Sequence, residues 1–253
     1  FATVSMKRVE EMATKYGNTL LNGDNRIIRF LEKPSSEEIY LSALMGGGKD
    51  TLPIINTGIY CFKRELLEVL AKTDFMDFGH DVFPYLLENK FDLFGFVRKY
   101  YWLDVGNPTT YLWANWDILR LYGYPIEPYG VRQGDTHVWF HPEDLHPNNN
   151  HHKDYVCFGK ANQFGDHCNI DELTVIGSYL TFGDNVHISR SVLWDHSKIG
   201  NNVQIDNSVI ADNVEIADNC IIRSNTIIGP NCKILKQDTI LDAKILDADT
   251  IIE

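Results

Sequence analysis

The sequence predicts an α/β domain followed by a parallel β-helix, and three observations carry that reading. First, an aliphatic or aromatic residue returns every six positions from Phe158 onward: Phe164, Ile170, Ile176, Phe182, Ile188 and Trp194. The count shortens by one to reach Ile199 and Ile205, and by one again at Ile210. It then holds through Ile216, Ile222, Ile228, Ile234, Ile240, Leu246 and Ile252. Such a period is neither the roughly 3.6 of an amphipathic helix nor the roughly 2 of a half-buried strand; a hexad marks a parallel β-helix. Second, strand-like and helix-like patterns alternate before residue 125, as an α/β sheet requires. Third, Pro125, Pro128, Pro142 and Pro147 crowd the stretch between the two, which reads as a linker over 125–155.

Within the hexads a second, smaller inward position is expected at Cys168, Thr174, Val186, Val192, Val203, Val209, Val214, Cys220, Thr226 and Cys232. Corners are expected at Gly183-Asp184-Asn185, Gly200-Asn201-Asn202, Ala211-Asp212-Asn213 and Gly229-Pro230-Asn231. Asn and Gly suit them because such turns need backbone angles that other residues resist.

The 253 residues are 44% hydrophobic, contain no apolar run long enough for a bilayer and do not open like a signal peptide. A cytoplasmic protein of two domains, without a membrane partner, is the expectation. The net charge of −12, with no basic run, argues against nucleic acid as the main partner. Five cysteines form no close pair, and three fall in the small inward position of the hexads, so they read as reduced core residues.

Taken in order, Phe1 to Val9 alternates as a strand. It opens without a leading turn, as though inside a domain. Thr19–Leu21 and Arg26–Leu31 flank the turn Asn22-Gly23-Asp24-Asn25 and predict a hairpin. Glu32-Lys33-Pro34 closes it, and a short helix starts at the Ser35/Ser36 cap with Glu37 and Glu38 in its first turn. Gly46-Gly47-Gly48-Lys49 is a loop without the Ser or Thr of a phosphate-binding P-loop. Ile54 to Phe62 is an apolar strand interrupted by Asn56-Thr57-Gly58, which suggests a bulge or the close approach of another group. Helices follow over Lys63–Lys72 and Phe78–Leu87, the latter bent or started late by Pro84. Phe91–Val97 is a strand. Asn107-Pro108 caps and starts a helix that carries Tyr111 to Tyr122. His137, His141, His146, His151 and His152 in the linker match no compact ligand spacing.

Two places offer chemistry. His167, His187 and His196 are the candidates if the β-helix is an acyltransferase, in which a histidine deprotonates an acceptor. No companion carboxylate is visible in the sequence, so they read as solvated positions and the β-helix as a scaffold. In the first domain Glu32-Lys33, Asn56, Gly58 and Asp104 fall at strand ends or interruptions, where an α/β sheet presents its ligand edge. A lysine offers a point charge for a phosphate and a strand-end carboxylate suits Mg²⁺. Singly, each fits an ordinary structural role: a surface ion pair for Glu32 and Lys33, a bulge for Asn56, a turn for Asp104.

Together, Tyr16-Gly17, Arg26–Pro34 (RIIRFLEKP), Asn56–Phe62 (NTGIYCF), Asp77-Phe78-Gly79 with Asp81 and Pro84, Tyr101–Gly106 (YWLDVG) and the Tyr111/Ala114/Asn115 helix resemble the sugar-1-phosphate nucleotidyltransferases. The likeness is to their glucose-1-phosphate adenylyltransferase and mannose-1-phosphate guanylyltransferase branches, which carry a left-handed β-helix. The resemblance implies an incomplete Rossmann-like nucleotidyltransferase domain over 1–124 and a left-handed parallel β-helix over 156–253. It implies that Glu32 binds sugar hydroxyls, Lys33 the sugar phosphate, Asn56 and Gly58 the sugar, and Asp104 the catalytic Mg²⁺. Lys33 and Asp104 would be catalytic. The substrates would be a nucleoside triphosphate and a sugar-1-phosphate, with homo-oligomers formed through the β-helix.

The family's Gly-rich triphosphate loop and its second metal-binding Asp have no counterpart in these residues. The chain is therefore expected to be the C-terminal part of such an enzyme and not to make a nucleotide sugar alone. A hexapeptide-repeat acyltransferase and a non-catalytic assembly or regulatory subunit are the alternatives.

Overall fold

A computed structural model describes residues 1–9, 16–31, 34–38, 53–144, 151–152 (backbone only) and 154–253. The chain divides into two compact units, Phe1–Trp102 and Leu103–Glu253.

The first unit is built on a five-stranded sheet with β1 at Ala2–Arg8, β2 at Asn18–Leu21, β3 at Ile27–Leu31, β4 at Ile54–Phe62 and β5 at Leu93–Val97, in the order β3-β2-β4-β1-β5. β1 runs parallel to β5 and antiparallel to β4. Alternation places Ala2, Val4 and Met6 inside, whereas Thr3, Ser5 and Lys7 take the other face. The β2–β3 hairpin forms as expected; the Asn22 side chain closes its turn by accepting from the amides of Asp24 and Arg26.

Against the sheet pack α1 (Leu66–Leu70) and α2 (Phe83–Glu88), the latter entered through a π-helical turn at Phe78–Val82. Pro84 sits in the first turn of α2, where its missing N–H leaves no hydrogen bond unmade, so the helix starts late instead of bending. Phe83 is fully buried, with Phe30 stacked at 4.3 Å and Tyr60 edge-on at 5.1 Å. Ser35 and Glu38 form the anticipated capping box, and the rest of that helix lies outside the described residues.

The second unit begins with α3 (Pro108–Leu119), started by a reciprocal box: the Asn107 side chain accepts from the Thr110 amide and the Thr110 hydroxyl from the Asn107 amide. The hexads then wind into a parallel β-helix with three sheets. Its first rung lies inside the stretch read as a linker, since Val138–Phe140 pairs in parallel with Val156–Phe158 and is buried in the same core. Positive φ recurs at the corners, seven times on Asn between Asn185 and Asn231. Stacked aromatic pairs fill the opening coils, Phe140 on Phe158 at 5.2 Å and Phe164 on Phe182 at 4.7 Å.

Two positions of the expected inward frame are corrected. Leu193, fully buried, stands where Trp194 was expected, and Trp194 is 41% exposed; Leu241 is buried where Ile240 was expected, and Ile240 is 59% exposed. A shift of one residue turns every side chain of a strand to the opposite face. In the same way Ser191 and Ser208 occupy the small inward position in place of Val192 and Val209. Those two valines point outward and pack under Leu112, Tyr111 and Trp116 of α3. The buried serines are satisfied internally: the Ser191 hydroxyl donates to the Ser189 carbonyl and accepts from the Ser208 amide. Trp194 donates its indole N–H to the Tyr111 hydroxyl at 3.0 Å, which ties α3 to the coil.

Candidate functional site

The interruption of β4 is a bulge. Val4 pairs with Tyr60 and Met6 with Asn56, so one residue of β1 faces three of β4. The extra length is held by side chains: Asn56 Oδ1 accepts from the Gly58 amide at 2.9 Å, Asn56 Nδ2 donates to the Tyr60 hydroxyl at 2.8 Å, and the Thr57 hydroxyl donates to the Ser5 carbonyl. Gly58 takes φ +78°, a conformation open to glycine without a Cβ penalty. From the other side the Trp102 indole donates to the Thr57 carbonyl and meets Tyr16 edge-on at 5.5 Å.

This bulge forms one wall of a 340 Å³ cavity lined by Tyr16, Gly17, Asn56, Gly58, Tyr60 and the segment Met76–Gly79. Its size falls within the range of small-molecule sites. Asn56 reaches Tyr16–Gly17 through the backbone, its amide donating to the Gly17 carbonyl at 2.8 Å. The opposite wall is fixed by two carboxylates. Asp77 accepts from the His80 amide, and Asp81 accepts from the amides of Met76 and Asp77. Those two amide donors hold the Asp81 carboxyl below the usual carboxylate range.

The structure therefore brings Asn56 and Gly58 to one cavity. Glu32 and Lys33 lie outside the described residues. Asp104 belongs to the second unit and is exposed, between Trp102 and α3. Sequence reasoning gave no role to Tyr60, Met76 or Asp77, although the Asp77-Phe78-Gly79 motif marked the place.

On the β-helix, His187 does have a companion carboxylate. Its Nε2 lies 3.2 Å from Asp171 Oδ2 and its Nδ1 lies 3.2 Å from Asn169 Nδ2. Asp171 and Asn169 stand one coil away, and coils close through ladder pairing, so a linear reading misses the neighbour. His196 stacks on Tyr179 at 5.0 Å.

Two family models match the chain in succession: the nucleotidyl transferase model over residues 2–120 and the EIF2B subunit epsilon LbH domain over residues 153–253. The chain is thus similar to the nucleotidyl transferases over residues 2–120 and to that LbH domain over its β-helix. Similar proteins include a glucose-1-phosphate adenylyltransferase of Mycoplasma mobile, 26% identical over 76% of this chain and 43% of its own length. Another, of Thermosipho africanus, is 30% identical over 58% of this chain and 33% of its own. A UTP–glucose-1-phosphate uridylyltransferase of Synechocystis is 25% identical over 79% and 49%. The chain thus spans half or less of the length of these nucleotidyltransferase relatives. Among its described residues no helix is long and apolar enough to cross a membrane.

Proposed function

We propose that this chain carries the sugar-binding cavity and the β-helix of a protein that transfers a nucleotidyl group from a nucleoside triphosphate to a hexose-1-phosphate. The observation that supports it best is the cavity itself. Three motifs far apart in sequence, Tyr16-Gly17, Asn56–Gly58 and Asp77–Gly79, converge on it, and they are three of the six on which the family likeness rests.

In the proposed reaction a phosphate oxygen of the sugar-1-phosphate forms a bond to the α-phosphorus, and the bond from that phosphorus to the departing pyrophosphate breaks. Catalysis of this kind is mostly positioning and charge neutralisation. Asn56 keeps one amide hydrogen and one oxygen lone pair beyond its bonds to Tyr60 and Gly58, which suits it to a sugar hydroxyl. Gly58 leaves that wall open, because a Cβ there would meet nothing within 4 Å. Glu32 would take other hydroxyls and Lys33 the phosphate. Mg²⁺ is the implied cofactor. Among the described residues no three His, Cys, Asp or Glu side chains gather around a metal position. A single exposed carboxylate such as Asp104 still fits, since Mg²⁺ is held by one or two carboxylates together with substrate phosphates. When bound, the ion neutralises phosphate charge. A cytoplasmic setting accords with five unpaired thiols. Homo-oligomers would form through the β-helix, whose last coil exposes Ile240, Ile245 and Ile251.

Calorimetric titration of the 253-residue chain with glucose-1-phosphate and mannose-1-phosphate tests the reading. Saturable binding of at least one is expected, with Asn56→Ala weakening it about tenfold, which corresponds to about 1.4 kcal/mol. Binding of neither sugar phosphate, or binding that a folded Asn56→Ala variant leaves unchanged, overturns it.

A further inference from the structure

The second unit holds a cavity of its own, 520 Å³ in volume, which shares no lining residue with the sugar cavity. It follows from the outer face of one sheet of the β-helix. Ladder pairing stacks Cys157, Val175, Val192, Val209 and Ile227 in one column on that sheet. The matching columns of the other two sheets are polar, Asn169-His187-Gln204 on one and Thr181-Lys198-Glu215-Lys233 on the other. The apolar column is the one that α3 covers, where Val192 and Val209 are buried with Leu112. Toward the first coils the column outruns that cover. Cys157 and Val175 are only half-buried there, and they line the cavity together with Tyr111, Ala114 and Asn115 of α3 and with Glu127 and Tyr129 of the segment that follows.

The walls are fixed before any ligand arrives. The Tyr111 hydroxyl accepts from the Trp194 indole at 3.0 Å. Asn115 Nδ2 donates to the Tyr111 carbonyl at 2.9 Å, which leaves Asn115 Oδ1 as an acceptor. The Cys157 thiol donates to the Tyr129 carbonyl at 3.5 Å. A preformed apolar hollow with a few polar groups, in the range of about 300–1,000 Å³, is the usual form of a small-molecule site.

Charge selects the ligand. Among the described residues the lining carries one charged side chain, the exposed Glu127, and no lysine, arginine or histidine. Burial pushes the Cys157 thiol up to about 11, so it stays neutral at neutral pH. An anion would therefore meet repulsion with no cation to offset it. A cation would meet the Glu127 carboxylate in a charge-assisted hydrogen bond, and tyrosine rings attract cations through their faces.

We propose that this cavity binds a small organic amine in its ammonium form, its apolar body against Cys157, Val175 and α3 and its ammonium group at Glu127. The assignment is independent of the sugar-phosphate reading, because it uses none of the same side chains.

The test is calorimetric titration of the full chain with three probes that share one ring system: naphthylmethylammonium, naphthylmethanol and naphthoate. An ionic strength of about 150 mM screens the diffuse attraction of an acidic chain for any cation. The ammonium probe is expected to bind saturably and about tenfold more tightly than the alcohol, as one charge-assisted hydrogen bond allows, and naphthoate more weakly than either. Glu127→Gln should erase the preference for ammonium over alcohol and leave alcohol binding unchanged. Glu127 is exposed, so the fold is retained, and matching thermal unfolding verifies it. Ala114→Leu, which adds bulk to the cavity wall, should weaken the ammonium and the alcohol alike. Failure of the ammonium probe to bind overturns the proposal, and so does an ammonium affinity no greater than that of the alcohol. A preference that survives in Glu127→Gln, or unchanged binding by a folded Ala114→Leu variant, overturns it as well. Loss of sugar-phosphate binding alone would leave it standing.

Discussion

Gly58→Ala isolates the backbone conformation of the β4 bulge from its packing. Gly58 has φ +78°, and a Cβ built there meets nothing within 4 Å, so no collision contributes. The cost is then that of holding an L-residue in the left-handed region, about 1–2 kcal/mol. Gly58→Asn should lose less, because Asn visits that region with local hydrogen bonding, and Gly58→Val should lose more than Ala because its branched Cβ crowds the backbone. For a chain of this size each kcal/mol moves Tm by about 2–4 °C, so the alanine variant should melt about 2–8 °C lower. Urea and thermal unfolding should be followed by fluorescence, since Trp102 donates to the neighbouring Thr57 carbonyl and reports on the bulge. The order glycine, asparagine, alanine, valine from most to least stable is expected. Gly58→Ala with wild-type stability, or valine no worse than alanine, would refute the strain argument. The same variants should lose sugar-phosphate affinity in that order, because a changed bulge re-aims Asn56.

Two further outcomes follow from single contacts. Leu193→Ala should destabilise the β-helix by about 2–5 kcal/mol, whereas Trp194→Ala should lose about 1–2 kcal/mol through the Tyr111 hydrogen bond and ring contact. Thermal unfolding of both variants in the reverse order would put Trp194, not Leu193, in the core. Asp81 is held below the ordinary carboxylate range by the Met76 and Asp77 amides. The stabilisation this gives is complete above the unfolded-state value of about 3.9 and is lost as pH falls through the lower folded one. Asp81→Asn should therefore lower the urea midpoint at about pH 6 and converge with wild type at strongly acid pH. A gap that stays constant with pH would count against the carboxylate.

The hexads were legible because one face of every short strand must enter a narrow core, so composition repeats with the coil. They misled where a second element erased the alternation. Val192-Leu193-Trp194 is apolar throughout because α3 covers the outside of that coil, leaving nothing in the triplet to say which residue points inward. Ile240-Leu241 poses the same ambiguity. In the first unit Asn56-Thr57-Gly58 announced its bulge, since a polar pair followed by glycine breaks the apolar run that a regular buried strand keeps. A cavity of the first unit lined by Lys7, Arg8, Arg98 and Lys99 was not legible at all. Lys7-Arg8 and Arg98-Lys99 are ordinary pairs until parallel pairing of β1 with β5 brings their ends together.

The same local geometry bears on whether the β-helix is itself a catalyst. His187 has the carboxylate that a general base uses for orientation, so the sequence-based objection to it falls away. A stronger objection replaces it. A general base needs one ring nitrogen oriented by the carboxylate and the other free to take a proton from an acceptor. In His187 the second nitrogen, Nδ1, is met by the Asn169 amide of the preceding coil, and the tautomer that satisfies both neighbours carries its proton on Nε2 toward Asp171. Both nitrogens are thus engaged within the ladder of outward side chains. Arg190 and Ser189 likewise bond Asp206 one coil on, which continues the ladder without a histidine. Polar pairing between successive coils accounts for Asp171, His187 and Asn169 as it does for their neighbours, and it favours the β-helix as the rigid part of the molecule over a second catalytic centre.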